Sequence, residues 1–395
     1  MSAIKRETKR RLLSMIHNVQ AKVDQVRVNA LLDRYDASVY QNQNPKEVKS
    51  VLFIITRLVR FSGGQTSILR LGTELHKLGY KVGYAVYKPQ SKEEMRICAA
   101  SNLSGFQGEL YTMQELNQMY ENNSFDVVVA SSWDTLSFAK KLKKYTMYFV
   151  QDYEPYFYPF GEIFLLAKKT YEQGAHMVSL GNWNAEMIKK ECSLVSPIDV
   201  IDFPYEKKEY PKKERDYMAY AKKKHFVMAV YLKYYGKRLP CILQYMMTDV
   251  VEKFAKDGIT LEVKYFGEAK NFTVKGGKNQ GMLNKKELLA LYEEADFGMV
   301  ASMSNISLIP YEMLATGLPL VEFEDGTFEY FFPKDSAIMT SIDPNDLYHK
   351  LKAAISDPAV LVRHQERAAD YMKDLSWKKT GFQFHEVLER LCENS

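Results

Sequence analysis

The chain repeats one pattern twice: a short apolar run, then an amphipathic stretch of helical spacing, then another apolar run. The first series reads VLFIIT (51–56), KVGYAVY (81–87), DVVVAS (126–131), TMYFVQ (146–151) and MVSLG (177–181). The second reads FVMAVYL (226–232), LEVKYFG (261–267), DFGMVAS (296–302) and PLVEFE (319–324). Runs that are apolar at consecutive positions suit strands covered on both faces, and strands alternating with helices imply βαβ units in a parallel sheet. Ser91-x-x-Glu94, Thr112-x-x-Glu115 and Asn284-x-x-Glu287 have the spacing of capping boxes, which predicts helix starts at each. The expected fold class is α/β: two doubly wound domains facing a cleft, preceded by an amphipathic helix.

The two series are separated by residues 206–224, where eight Lys or Arg stand against four acids and Pro211 intervenes, a composition expected of a linker. Residues 1–44 carry the same excess, and the +5 net charge comes from these two stretches. The remainder is close to neutral, so a nucleic-acid-coating surface is not expected. Leu12, Ile16, Val19, Val23, Val26 and Ala30 recur at steps of four and three, which predicts a helix over 3–35 with a narrow apolar stripe. Three uses fit that stripe: packing on its own domain, lying on a membrane surface, or a dimer seam. The expected organisation is a basic amphipathic helix (1–44), a first domain (45–205), the linker (206–224), a second domain (225–375) and a C-terminal helix (376–395) packing back on the first domain.

With 46% hydrophobic and 26% charged residues, the chain can fill ordinary globular cores. The four cysteines are far apart and have no metal-ligand spacing, so neither zinc nor a disulfide framework is expected. The longest uncharged run, 297–311, is shorter than the ~20 residues of a membrane span. The basic N-terminus lacks the apolar core of a secretory signal. A cytoplasmic protein follows as the expectation, with the N-terminal helix a possible contact to the inner face of the membrane.

Three regions could carry chemistry. In SMSNISLIPYEMLATGLP (302–319), Ser307 can cap a helix whose first turn tolerates Pro310. The free amides of Leu308 and Ile309 would cradle a diphosphate. Glu312, one turn on, could accept hydrogen bonds from both ribose hydroxyls; an ordinary helix with a solvated glutamate has the same spacing. In the first domain, Gly63 and Gly64 follow the first strand and would let a ligand approach the backbone, with Arg57 and Arg60 within reach of phosphate or simply solvated. Asp152 and Glu154 stand at the end of another strand beside Tyr153, with Trp133 and Asp134 at the end of the strand before it. Carboxylates among aromatic rings suit a sugar acceptor, and Asp152 is the candidate for orienting or deprotonating its hydroxyl; pairing with a nearby lysine would explain it equally. A Gly-x-Gly-x-x-Gly fingerprint is missing, which counts against an oxidoreductase or an epimerase.

Ser-x-x-Pro-x-Glu-Met-x-Ala-x-Gly-x-Pro, following ADFGMV, resembles the nucleotide-sugar motif of glycosyltransferase family 4, whose members have the GT-B fold of two Rossmann-like domains. YFGE (265–268) and the segment from Gly281 to Asp296 extend the likeness. VQDYEPYFYP (150–159) and TYEQGAHMVSLGNW (170–183) resemble the bacterial rhamnosyltransferases related to WsaF. The resemblance implies that Glu312 holds the ribose and that Ser307, Leu308 and Ile309 meet the diphosphate. Gly267, Gly281, Gly64 and Arg60 would complete the nucleotide-sugar site. Lys233 and Arg238, in YLKYYGKRLP, would stabilise the departing diphosphate without a metal. Trp133, Asp134, Tyr153 and Glu154 would face the acceptor.

One departure stands out. Ser304 occupies the position, eight before Glu312, where the family usually carries a glutamate that contacts the donor sugar. The implied activity is transfer of L-rhamnose from dTDP-rhamnose to a growing, lipid-linked surface polysaccharide, with retention of configuration and no cofactor. Another nucleotide-activated hexose, or a non-catalytic nucleotide-sugar-binding protein, are the alternatives.

Overall fold

The computed structural model describes residues 3–122, 124–234 and 236–393. The first sheet has seven strands in the order β3-β2-β1-β4-β5-β6-β7. These are β1 (Ser50–Ile55), β2 (Lys81–Val86), β3 (Glu109–Tyr111), β4 (Val127–Ala130), β5 (Tyr145–Val150), β6 (His176–Leu180) and β7 (Ile198–Ile201). The second has six, β10-β9-β8-β11-β12-β13: β8 (His225–Tyr231), β9 (Thr260–Phe266), β10 (Lys278–Asn279), β11 (Phe297–Met299), β12 (Leu320–Phe323) and β13 (Ile338–Thr340). Every recorded pairing is parallel. The central strands are the nine apolar runs, and β1, β4, β5 and β6 are buried along their whole length.

In both sheets the strand order reverses beside the first strand, between β1 and β4 and between β8 and β11. Loops leaving the carboxyl ends of strands diverge at such a switch point and leave a crevice. The helix starts at Thr112 and Asn284 are reciprocal capping boxes, and Ser91 accepts from the amide of Glu94. Among the described residues no helix is long and apolar enough to cross a membrane.

Four short strands have no counterpart among the apolar runs: β3, β7, β10 and β13, the outer strands of the two sheets. The N-terminal helix, Ala3–Leu32, ends before residue 35, and the first two and last two residues of the chain lie outside the described residues. Its stripe does not pack on the first domain. Leu12, Ile16, Val19, Val23 and Val26 are each more than half exposed; toward the end of the helix Val28 is buried and Leu31 packs against the core. Hydrogen-bonded attachment follows the helix: Tyr40 donates its amide to Gln173 at 2.8 Å, Asn42 bonds the backbone of Thr146, and Lys140 Nζ bonds the carbonyls of Asp36 and Ser38.

The 206–224 segment is likewise no free linker. It forms two short 3-10 turns, Lys207–Glu209 and Tyr217–Lys222. Arg215 donates to the carbonyl of Ala295 at 2.6 Å and Tyr217 to that of Gly317 at 2.5 Å. Donors from its own basic residues fix it to the second domain. The C-terminal helix, Trp377–Glu393, crosses back to the first domain. There Tyr80 meets His385 at 2.7 Å, Gln383 accepts from the amide of Asp202, and buried Phe384 lies edge-on to Phe149.

Candidate functional site

A cleft of about 820 Å³ lies between the domains where the two switch points face each other. It is lined from the first domain by Arg60, Gly64 and Arg70, and from the second by Lys233, Lys237, Arg238, Gly267 and residues 306–309 and 312. A smaller chamber of about 360 Å³ opens beside it, lined by Thr56, Ser132, Trp133, Asp134, Glu154, Phe157 and Tyr158. Ser62, Gly64, Gln151, Asp152 and Lys237 border both.

In the cleft, Glu312 is buried at 8% exposure and accepts from the Tyr292 hydroxyl at 3.2 Å. Burial pushes its carboxyl up to about 7, partly offset by hydrogen bonds from Tyr210 and Tyr292. Arg70 ties the linker to the cleft wall through Glu206 and Glu209, and Lys285 pairs with Glu209 at 2.5 Å. Farther along, Ser307 holds the N-cap position of the helix Leu308–Ala315, but its side chain makes no capping bond. Its buried hydroxyl has no hydrogen-bond partner among the described residues. Pro310 sits in the first turn, where a missing amide hydrogen costs nothing. The amides of Leu308 and Ile309 have no helical acceptor by their position, so this end of the helix can bind an anion.

Lys233 and Arg238 line the same cleft from the loop after β8. Tyr235, between them, lies outside the described residues. Arg238 is 6% exposed, donates to the carbonyl of Ala301 at 2.9 Å and lies over the Tyr231 ring. Leu239, which follows it, has φ +47. A bulky side chain in the left-handed region is uncommon and costs energy, and here it ends the turn that aims Lys237 and Arg238. Burial pushes the ammonium of Lys233 down, which makes an anion welcome beside it.

At the opening between the chambers, Asp152 Oδ1 accepts from Ser304 Oγ at 2.9 Å and pairs with Lys237 Nζ at 3.1 Å. Lys237 was not singled out by its sequence position. It lies on a single 3-10 turn, Gly236–Arg238, which has no periodicity to read, and its ammonium stacks 3.9 Å from the centroid of Phe157.

In the small chamber Asp134 accepts from Ser132 at 2.6 Å, Thr56 at 3.1 Å and Tyr87 at 2.5 Å. Three donors on one carboxylate fix its orientation. Glu154 is buried, accepts from the Trp133 amide at 2.8 Å and the Tyr148 hydroxyl at 3.1 Å, and is pushed by burial up to about 8. The Trp133 indole donates to Tyr158 at 3.1 Å. The chamber thus combines a carboxylate, a buried carboxyl and aromatic edges, a lining that suits one polyhydroxylated ring.

Three expected site residues fall elsewhere. Tyr153 is 1% exposed, stacked on Tyr171 and edge-on to Tyr156, so it belongs to the core. Arg57 pairs with Glu94 at 2.8 Å and does not line the cleft. Gly281, at φ +91, accepts the Gly267 amide at 2.9 Å from behind the cleft wall, and the helix after it begins only at Lys285. Among the described residues no group of three His, Cys, Asp or Glu side chains converges to hold a metal ion.

The family model for the N-terminal domain of WsaF matches residues 112–184, the segment that carries Trp133, Asp134, Asp152 and Glu154. No curated protein matches the chain by sequence. Among solved structures the chain is similar to a sucrose-phosphate synthase from Thermosynechococcus elongatus, with 13% identity and TM-score 0.65, covering 88% of this chain and 100% of that one. It is also similar to HepE of Anabaena in complex with UDP-glucose, with 11% identity and TM-score 0.67, covering 86% and 99%. A Staphylococcus aureus TarM variant in complex with fondaparinux, α-GlcNAc-glycerol and UDP has 8% identity and TM-score 0.66, covering 86% and 100%. The fold of this chain is GT-B.

Proposed function

We propose that this chain is a glycosyltransferase that moves a sugar from a nucleotide-activated donor to a glycan. The observation that carries the proposal is the pair of joined chambers. One is lined by an anion-binding helix terminus, a buried glutamate one turn along the same helix, and the cations Lys233 and Arg238; the second is small, aromatic and carboxylate-lined. The GT-B fold, the WsaF-like segment, and the likeness to a sucrose-phosphate synthase and to two complexes, one with UDP-glucose and one with UDP, support it. In this reading Glu312 binds the ribose, and Ser307 and the first amides of its helix bind the diphosphate. Lys233 and Arg238 stabilise the diphosphate as it departs, since fixed charge in a dry site favours developing negative charge. Asp152 receives the acceptor hydroxyl from the small chamber. The finer proposal is L-rhamnose as the sugar, dTDP-rhamnose as the donor and a lipid-linked surface polysaccharide as the acceptor; it rests on the likeness to the WsaF group.

Calorimetric titration with dTDP, UDP, GDP and NAD in excess EDTA tests the reading. Selective binding of dTDP is expected; preference for UDP or GDP would discard rhamnose, and binding of NAD alone would sink the glycosyltransferase assignment. Glu312→Ala is expected to weaken nucleotide binding by about 1.5–3 kcal/mol, the range for hydrogen bonds to a charged group. Because the Glu312 carboxyl titrates near 7, and its protonated form gives up acceptor capacity, affinity should rise with pH through neutrality. The alanine variant should lack that rise, and an unchanged dissociation constant would remove Glu312 from the site.

The exposed stripe on the N-terminal helix supports a second proposal, contact with an anionic membrane surface. Residues 3–32 hold seven Lys or Arg against two acids. A parallel dimer through that stripe would bring Lys22 and Arg27 to flanking positions of like charge, whereas acidic lipid headgroups are complementary to them. Removing residues 1–32 spares the attachment at Asp36–Asn42. The shortened chain is expected to lose sedimentation with phosphatidylglycerol vesicles and to keep its nucleotide affinity. Equal sedimentation of both chains would refute membrane contact through the helix.

A further inference from the structure

We infer that Lys237 and Ser304 are positioning residues that reach from the second domain and fix the Asp152 carboxylate of the first at the opening between the two chambers. The inference rests on the glycosyltransferase reading and adds to it. Asp152 follows β5 in the first domain, while Ser304 follows β11 and Lys237 follows β8 in the second. Both donors converge on one oxygen of Asp152, at 2.9 and 3.1 Å. With Oδ1 held from the second domain, the carboxylate has its second oxygen to offer at the place where both chambers share a wall.

The surrounding backbone is built to keep this register. Tyr153 donates its amide to the carbonyl of Ser304 at 3.0 Å. Asn305, fully buried, donates to the carbonyls of Gln151 and Leu180 at 2.6 and 3.0 Å. Two loops from different domains are therefore joined on either side of the Asp152–Ser304 contact. Lys237 is held against Phe157, a first-domain ring, so its ammonium cannot swing away without losing both contacts. Ser304 is 1% exposed. A glutamate there would push a second carboxylate against Asp152 in a space that fits a hydroxyl, and two like charges at that distance cannot both stay ionised. Serine is thus what this cross-domain carboxylate requires.

In the step so positioned, the acceptor oxygen bonds to the anomeric carbon of the donor. The bond from that carbon to the diphosphate oxygen breaks with its electron pair on the diphosphate, and the hydroxyl proton passes to Asp152. Water can take the place of the acceptor, so hydrolysis of dTDP-rhamnose by the full chain reads the step without a known acceptor. Lys237→Met and Ser304→Ala are each expected to lower kcat for hydrolysis at least tenfold, with KM and the dTDP dissociation constant within twofold of the parent. Lys237→Arg should recover most of the loss, and Ser304→Glu should be slower than Ser304→Ala. Hydrogen exchange at the Tyr153 amide should quicken at least tenfold in Lys237→Met and Ser304→Ala without a change in the overall unfolding midpoint.

Unchanged Tyr153 exchange in both variants overturns the inference, whether or not hydrolysis is fast enough to follow. A turnover within twofold of the parent overturns it as well. A tenfold weaker dTDP complex in Lys237→Met would make Lys237 a phosphate ligand instead of a positioning residue. Failure of the parent to bind any nucleotide would strike the glycosyltransferase reading, and the exchange measurement would still report on the seam.

Discussion

Arg238→Met is expected to slow turnover of the nucleotide-sugar donor by about 10²–10³-fold, the loss seen when one preorganised stabiliser of transition-state charge is removed. The expectation comes from how firmly the guanidinium is held before any ligand arrives. It is 6% exposed, donates to the Ala301 carbonyl and lies over Tyr231, so little reorganisation accompanies the appearance of charge on the leaving diphosphate. The substitution also removes a cation that holds down the proton affinity of Glu322, whose carboxyl burial pushes up to about 7. Glu322 is hydrogen-bonded by the amide and hydroxyl of Ser302 and can keep a proton, so the fold should survive. Arg238→Lys should retain part of the rate through charge alone. Steady-state hydrolysis with a parallel unfolding scan checks this, and a rate within tenfold of the parent in a folded Met variant would take Arg238 out of the transition state.

The largest effect on stability is expected at Gly174. Its φ is +83, and a Cβ there would lie 2.0 Å from the carbonyl oxygen of Tyr40 and 3.1 Å from its nitrogen. The left-handed conformation alone costs an ordinary residue about 1–2 kcal/mol. The clash is with backbone, so the segment carrying Tyr40 must move, and it is tied by the Tyr40 amide and by both sides of the Asn42 amide group. Losing two or three such bonds adds about 0.5–1.5 kcal/mol each, and Gly174→Ala should destabilise by about 3–5 kcal/mol. Gly79→Ala is the control: φ is +99 but nothing lies within 4 Å of the added atom, so only the backbone cost applies. Denaturant unfolding of the two variants separates them, and equal losses would mean that the segment around Tyr40 yields without cost.

What could be read in advance follows from how far each signal extends along the chain. The central strands are apolar over several consecutive residues because both faces are covered, and each left a run in the sequence. β3, β7, β10 and β13 pair on one side only and span two to four residues, too few for alternation to emerge from the loops around them. The N-terminal stripe fixed a helix but not its partner, because periodicity describes a face and is silent about what meets it. Asp152, Tyr153 and Glu154 are adjacent in sequence, yet one faces the chamber opening, the next enters a tyrosine stack and the third lies buried beneath the Trp133 amide. A turn without regular spacing gave no means of sorting them. Lys237 escaped for the same reason, while Glu312 and Ser307 were legible because a helix start and one helical turn have fixed geometry.

The return of the helix Trp377–Glu393 to the first domain has a consequence for the order in which the molecule can be completed. Synthesis proceeds from the N-terminus, and domains generally fold as they emerge. The first domain leaves the ribosome with Tyr80, Phe149 and the surface around Glu74 still uncovered, because the residues that meet them are Gly381, Phe384 and His385. Its apolar face stays open until the whole second domain has been made. A chain interrupted anywhere before residue 377 would therefore carry an unfinished first domain, which closes once residues 377–393 have been made.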